Sequence, residues 1–337
     1  MALKPPVEVP QGAIRLNTDS QKMEFFAQDQ WWQMATDVPT LDGGARATFS
    51  GGQTPSSNYN IIDYITIATA GNAADFGDLS SLPLAAATAA DRTRGISAGG
   101  YTPSILNTVE YITFSSTGNA ADFGDLSTAV SYSGGMNSST RGVLGGGYVP
   151  SAFTNVIQYV TIQSTGNGND FGDISSTRQV DGAASSPTRG VLFGGYEPSS
   201  PNSKNLIEYI TIATTGNSQD FGDLSSARYA NAACSNSTRA ISGGGNTAPT
   251  FISNIDSITI ATKGNSTNFG SIAAATTYSG ATSSPTRGVI GGGGTPTPLN
   301  TIQYISFATE GDTVDFGDLT QARNQLRGMS NANGGLG

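Results

Sequence analysis

The sequence has no histidine, a single cysteine and few charged side chains, which make up 12% of its 337 residues. Without histidine, Ser-His-Asp and Cys-His catalytic centres and histidine-liganded metal sites are excluded. One cysteine can form neither a disulfide within the chain nor a zinc site made of cysteines. We interpret Cys234 as a small packing residue and not as a reactive thiol.

Basic residues and long apolar runs are also scarce. The chain has 16 Lys and Arg against 25 Asp and Glu, a formal net charge of −9, and no cluster of basic residues. A phosphate-neutralising surface is therefore missing, and we expect no nucleic acid partner. No apolar run approaches the roughly 20 residues of a membrane span, and the opening MALKPPVEVPQG lacks the apolar segment of a signal peptide. The composition predicts a soluble chain that does not insert into a membrane.

Glycine, by contrast, is abundant at 44 residues, and the tripeptide Asp-Phe-Gly, by which kinases hold magnesium, returns along the chain. Its phenylalanines, the fifth of which follows asparagine, are spaced by 47, 48, 50, 48 and 47 residues: Phe76, Phe123, Phe171, Phe221, Phe269 and Phe316. A magnesium site or phosphate loop occurs once, among unlike neighbours. The repeat therefore excludes a nucleotide enzyme and indicates one supersecondary unit used six times.

Each unit contains four short segments that predict β strands. The first is an apolar run that follows an arginine and ends in glycines, such as RGISAGG at 94–100. The second is rich in β-branched and aromatic residues, such as EYITFSS at 110–116. A Gly-Asn or Gly-Asp pair follows in all six units and predicts a tight hairpin. The third segment contains the DFG tripeptide, and the fourth consists mostly of small residues.

These segments predict an all-β fold, a six-bladed β-propeller over residues 45–337. Four antiparallel strands per unit match a propeller blade, whose period is ~40–45 residues in WD40 repeats and ~50 in kelch repeats. Small residues in the fourth segment suit the crowded strand nearest the axis. The second segment is apolar on both faces, as a sheet between two neighbours requires. The series opens with a first segment at Arg46 and ends with a fourth segment after Phe316, so the C-terminal strand is predicted to complete the first blade and close the ring.

Residues 1–44 lie outside the repeat and form a second predicted domain. After a Pro-rich lead, the stretch GAIRLNTDSQKMEFFAQDQWWQMATD at 12–37 shows alternation broken by NTDSQ and AQDQ, which predicts a three-stranded β meander. So small a sheet cannot bury its aromatic residues by itself. The predicted docking and assembly residues are therefore Phe25, Phe26, Trp31 and Trp32.

Two kinds of charged residue recur in the repeat. Arginine opens the first segment of every unit, at Arg46, Arg94, Arg141, Arg189, Arg239 and Arg287, and aspartates flank the DFG tripeptide, as at Asp75 and Asp78. One interpretation is a ring of carboxylates that binds calcium. The interpretation we favour is structural, with Arg–Asp pairs or aspartate caps on turn amides satisfying buried polar groups. Unit five has Asn268 and Ser271 instead of the two aspartates, so its sheet is expected to be the loosest.

The distribution of acids argues against an enzyme. A glycosidase needs two carboxylates about 5–10 Å apart in one cleft. Here most acids occupy equivalent positions of repeated sheets, so no single acid-base pair is predicted, and the absence of histidine excludes a copper oxidase. We expect no catalytic residue, no cofactor and no metal ligand.

The segments that follow the glycines differ most between units, as in YTPSILN, YVPSAFTN and NTAPTFISN. Loops on a rigid scaffold are where binding usually occurs. These links are predicted to share one face, where their aromatic rings offer flat surfaces for a glycan or a protein. The candidate contact residues are Tyr101, Tyr148, Phe153, Tyr196 and Phe251. The alternative is that these Pro-rich links are only good turns.

Two resemblances to known families rest on these residues. The glycine pairs, the aromatic residue in the next strand and the arginine that follows resemble a kelch-type propeller, with the DFG phenylalanine in place of the kelch tryptophan. The repeated motif GNAADFGDLSS, followed by STRG and GGG, is similar to repeats of structural proteins of tailed bacteriophages, notably those of marine cyanobacteria. The N-terminal segment resembles the G-x-I-R-x-N-T-x-x-x-K-x-E-F/Y…W element of phage tail-fibre proteins, carried here by Gly12, Ile14, Arg15, Asn17, Thr18, Lys22, Glu24, Phe25 and Trp31 or Trp32.

The resemblances imply a non-enzymatic virion structural protein, a tail-fibre or tail-associated component assembled in the host cytoplasm and carried on the extracellular particle. Residues 1–44 would attach it to other virion proteins, often as a trimer, and the propeller would contact a host-surface glycan or receptor. Three alternatives stay open: a passive capsid, neck or tail decoration or connector, a glycan-cleaving propeller enzyme, and a cellular kelch scaffold.

Overall fold

A computed structural model of the chain describes residues 9–17, 22–33, 45–199, 201–247 and 249–332. Within these residues all regular structure longer than a turn is β strand, and no α-helix is present. The described part of the chain therefore contains no helix with the length and apolar character needed to cross a membrane. Contacts divide the chain into two compact units, Met1–Asp42 and Gly43–Gly337.

The N-terminal unit contains a three-stranded antiparallel sheet. Its strands, in spatial and chain order, are β1 (Ile14–Asn17), β2 (Lys22–Ala27) and β3 (Gln30–Gln33), which is the topology of the predicted meander. β2 and β3 are joined by a two-residue turn in which Gln28 and Asp29 have φ of 52° and 58°. Two successive positive φ values match the twist of a β-hairpin, and Asp is among the residues that tolerate them.

The second unit contains six four-stranded antiparallel sheets among its described residues. Sheet 1 consists of β29 (Arg327–Ser330), β4 (Arg46–Ser50), β7 (Ile61–Thr66) and β8 (Ala74–Asp78), sheet 2 of β9 (Ala87–Ala90), β10 (Arg94–Ala98), β11 (Thr108–Thr113) and β12 (Ala121–Asp125), and sheet 3 of β13 (Gly134–Asn137), β14 (Arg141–Val149), β15 (Ala152–Thr161) and β16 (Asn169–Asp173). Sheet 4 consists of β17 (Gly182–Ser185), β18 (Arg189–Tyr196), β19 (Ser203–Thr211) and β20 (Gln219–Arg228), sheet 5 of β21 (Ala232–Ser235), β22 (Arg239–Gly243), β23 (Asn254–Thr259) and β24 (Thr267–Ser271), and sheet 6 of β25 (Gly280–Ser283), β26 (Arg287–Gly291), β27 (Thr301–Ser306) and β28 (Val314–Asp318). A short hairpin of β5 (Gln53–Thr54) and β6 (Ser57–Asn58) extends from sheet 1.

The strands of each sheet are called first to fourth in the order just given. In sheets 2 to 6 these four strands are consecutive in the chain. In sheet 1 the first strand comes from the far end of the sequence, because β29 pairs with β4 in the register Arg327↔Ser50 to Ser330↔Ala47. First strands are mostly buried, whereas fourth strands are mostly half-buried or exposed.

Hydrophobic side chains cover both faces of every sheet. In the third strand of sheet 2, Val109 and Tyr111 pack with residues of sheet 3, whereas Ile112 and Phe114 pack with residues of sheet 1. Among the described residues, clusters of this kind lie between sheets 1 and 2, 2 and 3, 3 and 4, 4 and 5, 5 and 6, and 6 and 1. A strand that is covered on both faces is apolar on both faces, which explains the pattern of the second segment.

The Gly-Asn pairs join neighbouring sheets, and the prediction that they form tight hairpins is wrong. Between β11 and β12 a backbone hydrogen bond closes a turn at residues 113–116, ahead of Gly118. Gly118 N donates to Phe76 O of sheet 1 at 2.7 Å, and Asn119 Oδ1 accepts from Asp78 N at 3.1 Å. We call this contact the clasp. Its bonding partners lie on another sheet, so no local turn rule could identify it.

The clasp recurs at the other five sheet junctions of the described residues. Its leading hydrogen bonds there run from Gly166 N to Phe123 O, Gly216 N to Phe171 O, Gly264 N to Phe221 O, Gly311 N to Phe269 O and Gly71 N to Phe316 O. The DFG glycine lies against the clasp. A Cβ at Gly317, which has φ +148°, would overlap the carbonyl oxygen of Gly71. The DFG tripeptide is therefore a docking edge for the neighbouring sheet.

The recurring arginines do not pair with the DFG aspartates, so the Arg–Asp pairing offered by the structural interpretation is wrong. Arg94 Cζ lies 4.6 Å from the centroid of the Tyr111 ring, and Arg94 Nη1 donates to Ile162 O of sheet 3 at 3.2 Å. The same two kinds of contact are made by Arg46, Arg141, Arg189 and Arg287. The arginine is on the second strand and the aspartates are on the fourth, with the third strand between them. Within the described residues the DFG aspartates form no ion pair, so unit five loses none by lacking them.

Buried ion pairs are instead formed by other residues at three of the junctions. An arginine that ends or follows a fourth strand reaches an acid on the third strand of the next sheet: Arg178 with Glu208, Arg228 with Asp256 at 2.9 Å, and Arg323 with Asp63 at 3.0 Å. All six side chains are at most 1% exposed. Burial by itself would raise the pKa of Glu208, but the charge of Arg178 and the hydrogen bonds of its partners bring that pKa below its ordinary value.

Candidate functional site

Four aromatic rings form a continuous line that we call the aromatic row: Tyr148, Phe153, Tyr196 and Tyr229. Successive ring centroids are 5.2, 5.7 and 5.1 Å apart, with interplanar angles of 65°, 47° and 63°. These are the tilted and edge-to-face arrangements that aromatic quadrupoles favour. All four side chains are half-buried, so the row keeps part of its surface open to solvent.

Backbone pairing across sheets 3 and 4 positions the row. β14 and β15 form a hairpin in which Tyr148 pairs with Phe153, and Tyr196 ends β18. Isolated β-bridges pair Tyr148 with Ser131 and Tyr196 with Gln179, on the segments that lead into the first strands of sheets 3 and 4. Two glycines precede each of these two tyrosines and allow the chain to bend there. Gly194, for example, has φ +60°, and a Cβ on it would overlap Arg228 O.

A pair of tyrosines outside the row, Tyr132 and Tyr278, lies where the chain enters the first strands of sheets 3 and 6. The rings of Tyr132 and Tyr278 are 6.1 Å apart in an edge-to-face arrangement, and Tyr132 Oη donates to Gln325 Oε1 at 2.9 Å. Their φ values are 54° and 56°, a region that bulky side chains rarely adopt. Such strain persists only where the surrounding structure imposes it.

A chain of hydrogen bonds imposes this conformation. One residue from the entry of each sheet donates its backbone N–H to the equivalent carbonyl of the preceding sheet, at 2.8 to 3.0 Å: Tyr132 to Ala85, Val180 to Tyr132, Tyr278 to Ala230, Gln325 to Tyr278 and Ala85 to Gln325. The sixth donor, Ala230 N, is accepted by the Asp181 carboxylate at 3.0 Å. The backbone is therefore held at positive φ by contacts between sheets.

A buried ion pair lies beneath these tyrosines. Arg327 Nη2 donates to Asp181 Oδ1 at 2.8 Å, and Arg327 Nε donates to Ala86 O at 3.2 Å, so one side chain connects sheets 1, 2 and 4. Asp181 Oδ2 accepts from Gln179 Nε2 at 2.6 Å. A cavity of about 80 Å³ lined by small residues of the first strands, such as Ala87 and Ala281, has this pair in its wall.

Three tyrosines have raised pKa values to which the charge of Asp181 contributes. Burial, and then the Asp181 charge, raises the pKa of Tyr132 to about 12. Burial and Asp181 also raise the pKa of Tyr278, and burial, Tyr196 and Asp181 raise that of Tyr229. These hydroxyls therefore stay protonated at neutral pH and can donate hydrogen bonds. The Asp181 charge thus acts on both members of the tyrosine pair and on one member of the aromatic row, Tyr229.

The structure brings together three of the five predicted contact residues. Tyr148, Phe153 and Tyr196 belong to the aromatic row, whereas Tyr101, 40% exposed, and Phe251 make no ring contact within the described residues. Sequence reasoning missed Tyr132, Tyr229 and Tyr278, which lie in the small-residue fourth segments. The available signal was a large aromatic residue in a segment that otherwise carries Ala, Gly and Ser.

The predicted docking residues are divided between the two faces of the N-terminal sheet. Phe26 and Trp31 pack with ring centroids 5.3 Å apart, and Arg15 Cζ lies 4.1 Å from the Trp31 centroid. Phe25 and Trp32 are on the other face, 36% and 48% exposed. Ile14, Leu16 and Met23 share that face, with exposures of 59%, 58% and 39%. The unit thus has one face closed by its own aromatic residues and one exposed apolar face.

Neither a metal nor an acid-base pair is suggested at the aromatic row. The described residues contain no group of three or more His, Cys, Asp or Glu side chains that could hold a metal ion. The carboxyl next to Tyr196, Glu197, has its pKa lowered by a hydrogen bond from Lys204, the opposite of what a general acid needs. Cys234 is buried between sheets 5 and 6, which raises its thiol pKa to about 12 and agrees with its interpretation as a packing residue.

The row has the chemistry of a binding surface, which contacts a partner through aromatic rings and hydroxyls. Tyrosine gives a large, rigid surface with a hydrogen-bonding tip at low cost in conformational entropy, and it suits partners that combine apolar faces with hydroxyls. A search of protein-family models and of curated proteins finds no match to this chain.

Proposed function

We propose that the six sheets are the blades of a closed six-bladed β-propeller. Three independent sets of contacts support this: the pairing of β29 with β4, the clasp from Gly71 to Phe316, and the hydrogen bonds that run from Ala85 through each sheet entry and return to Gln325. Each set connects the C-terminal end of the repeat with its first sheet. The hydrophobic cluster between sheets 6 and 1 joins the same two elements.

The function that this geometry supports best is saccharide binding by a non-catalytic attachment protein. The observation that carries the proposal is the aromatic row, because four adjoining rings with open surface, three of which carry a tyrosine hydroxyl, match the alternating apolar faces and hydroxyls of a glycan chain. The row is built on rigid sheets, so its rings are ordered before the ligand arrives, which favours affinity.

The setting of this activity is proposed to be a tailed-phage particle. The support is the resemblance of the repeat and of the N-terminal segment to virion proteins, together with the exposed apolar face of Ile14, Leu16, Met23, Phe25 and Trp32. An exposed apolar face of this kind marks a protein interaction site. In this proposal residues 1–44 attach the chain, as a homo-oligomer such as a trimer, to another protein of the tail, and the propeller contacts the host surface.

The proposal is tested with the full-length chain and surface polysaccharide of its host. Saturable binding without release of cleaved product is expected. Replacing Tyr148 or Tyr196 with alanine should weaken binding by roughly five-fold to one hundred-fold, because each removes a stacking ring. Tyr101→Ala is the matched control, since it removes an exposed tyrosine outside the row and should leave affinity unchanged.

Two of the alternatives have their own outcomes in this experiment. No binding to host surfaces, combined with tight docking to a phage particle, would favour the passive decoration or connector. Release of oligosaccharide that stops when one carboxylate is neutralised would favour the glycan-cleaving enzyme. Equal binding by the Tyr148, Tyr196 and Tyr101 variants would contradict the assignment of the row.

A further inference from the structure

Sheet 5 lacks a tyrosine that the other five sheets have at the equivalent position. In the other five sheets a tyrosine of the third strand lies under the arginine guanidinium, with Cζ 4.4 to 4.7 Å from the ring centroid: Tyr64, Tyr111, Tyr159, Tyr209 and Tyr304. In sheet 5 the register places Ser257 there, opposite Thr267. Arg239 instead lies 5.7 Å from the centroid of the Phe269 ring.

The missing ring leaves a cavity of about 250 Å³. It is lined by Arg239, Ser257, Thr262, Lys263 and Thr267, among other residues. Since each water of the liquid takes about 30 Å³, this space holds a compact polyatomic ion together with some of its waters. A hydrophobic ligand is disfavoured, because guanidinium, ammonium and hydroxyl groups form much of the wall.

The cationic groups of this cavity have donors to spare. The one hydrogen bond that the described residues give the Arg239 guanidinium runs from Nη1 to Phe307 O at 3.0 Å. Lys263 Nζ lies 5.1 Å from the Tyr209 ring centroid and forms no ion pair among the described residues. Ser257 Oγ and Thr267 Oγ1 are 3.3 Å apart, so two hydroxyls converge on the same wall.

The sequence of unit five is also more positively charged than that of the other units. At the position of Lys263 the other units have Ala70, Thr117, Thr165, Thr215 and Glu310. The two DFG aspartates are replaced by Asn268 and Ser271. One acid, Glu310, also lines the cavity. In a chain of net charge −9, this sheet has gained a cation in the wall of a cavity that already holds an arginine, and its fourth strand has lost two anions.

We propose that the cavity of sheet 5 binds a phosphate or sulfate group. Arg239 and Lys263 supply charge-assisted hydrogen bonds, and the hydroxyls of Ser257 and Thr267, which lie within hydrogen-bond distance of each other, supply a further donor, which is the pattern that tetrahedral oxyanions accept. The departure of unit five from the other units at Ser257 and Lys263 has in this proposal a binding role. The site is separate from the aromatic row, and the proposal does not rest on saccharide binding there.

The test is a calorimetric titration of the full-length chain at low ionic strength with inorganic phosphate and with sulfate, against chloride at matched ionic strength. One saturable site is expected for phosphate and sulfate and none for chloride. Ser257→Tyr restores the residue of the other five sheets, so it should keep or raise the unfolding temperature while it abolishes binding. Unchanged binding in this folded variant, or no saturable binding by the wild type, would overturn the proposal.

Two further variants test the charges. Lys263→Ala should weaken phosphate binding roughly five-fold to ten-fold, and Glu310→Gln should strengthen it, because one removes a cation and the other an anion from the wall. Thr215→Ala, at the equivalent position of sheet 4, is the matched control and should change nothing. Glucose 6-phosphate separates the two sources of the group. Tighter binding than inorganic phosphate assigns a sugar-borne group, and equal or weaker binding assigns the free anion.

Discussion

At the scale of single residues, the two positions that form the buried ion pairs change charge together from one sheet junction to the next. Where an arginine ends or follows the fourth strand, the facing residue is an acid, as with Arg178, Arg228 and Arg323. Where that residue is neutral, the facing residue is glutamine: Val130 with Gln158 and Thr276 with Gln303. The exception is Pro83, which shares its junction with Glu110. Matching is expected, because an uncompensated buried charge is costly.

Breaking one pair should destabilise the second unit strongly. Asp256→Asn leaves the Arg228 guanidinium buried without its counter-ion and should cost about 3–5 kcal/mol in urea unfolding. The double variant Arg228→Thr with Asp256→Gln copies the neutral junction of Thr276 and Gln303. It should cost clearly less than the single change, and an equal or larger loss would show that the ion pair is not what the junction needs.

The opposite effect is expected at Glu110, which is 4% exposed and forms no ion pair within the described residues. Glu110 Oε1 accepts from Ser80 N at 2.8 Å, a bond that a glutamine oxygen can also accept, as Gln158 Oε1 does from Thr128 N at 2.9 Å. Glu110→Gln should therefore raise the free energy of unfolding by roughly 0.5–2 kcal/mol. Glu208→Gln, which removes the partner of Arg178, is the contrasting variant and should lower it.

Alkaline pH should weaken the fold through the buried tyrosines. The pKa of Tyr132 is raised from 10.0 to about 12, so the folded state holds its proton over a range in which the unfolded state loses it. This contribution is complete below pH 10, and it falls away between pH 10 and about 12, by roughly 2–3 kcal/mol for this side chain. Unfolding by urea across that range should show the decline, and Tyr132→Phe should make it shallower. An unchanged slope would contradict the assignment to Tyr132.

At the scale of elements, the clasp gives a role to the most repeated part of the sequence. The fourth strand is exposed along much of its length and would otherwise present unpaired backbone groups at a sheet edge. The clasp of the next sheet satisfies them: Gly118 N donates to Phe76 O, and Ala120 N donates to Asp78 O at 2.8 Å. The repeat thus protects its edges by pairing each sheet with its neighbour.

One clasp offers a matched pair of glycines for a test. Gly317→Ala places a Cβ against Gly71 O at φ +148° and should destabilise the second unit by roughly 1–3 kcal/mol. Gly71 belongs to the same clasp, but a Cβ on it meets no atom within 4 Å, so Gly71→Ala should be nearly neutral. Thermal and urea unfolding of the two variants measure the difference. Equal effects would show that the sheets do not approach each other as closely as the clasp requires.

At the scale of the whole molecule, the proposed closure of the ring would make the C-terminal strand a condition of stability. In the proposed propeller β29 completes sheet 1, and the segment before it supplies Arg323, whose carboxylate partner Asp63 is on β7. Arg327 adds the ion pair to Asp181 of sheet 4. Contacts far apart in sequence therefore depend on a short terminal segment.

Removal of residues 321–337 should unfold the second unit cooperatively at a much lower temperature, because it strips the first strand from sheet 1 and uncovers two sheet faces. Residues 333–337 of that segment lie outside the described part of the chain. Removal of residues 1–44, which belong almost entirely to the other compact unit, should leave the melting of the propeller nearly unchanged. Calorimetric scans of both truncations decide the matter, and an unaltered transition in the first would refute closure by the terminal strand.

Prediction from the sequence succeeded where a feature repeats and failed where its partner is distant in the chain. The strand segments, the antiparallel order and the two-sided burial of Val109 and Ile112 follow from local pattern. The role of the Gly-Asn pair does not follow from local pattern, because its hydrogen bonds go to a different sheet. The arginine of each second strand was assigned to the wrong partner for the same reason. At the candidate site, Tyr148 and Tyr196 were identified by their links, whereas Tyr229 required the fold.

The sequence by itself determined an all-β chain of repeated four-stranded units and the absence of histidine-dependent chemistry. A period, a strand pattern and a missing residue type are all local properties of the chain. Only the tertiary structure decided which arginine meets which acid, which tyrosines adjoin and where a missing ring leaves a cavity. Those are relations between neighbouring sheets, and they depend on distances in space that no spacing along the chain encodes.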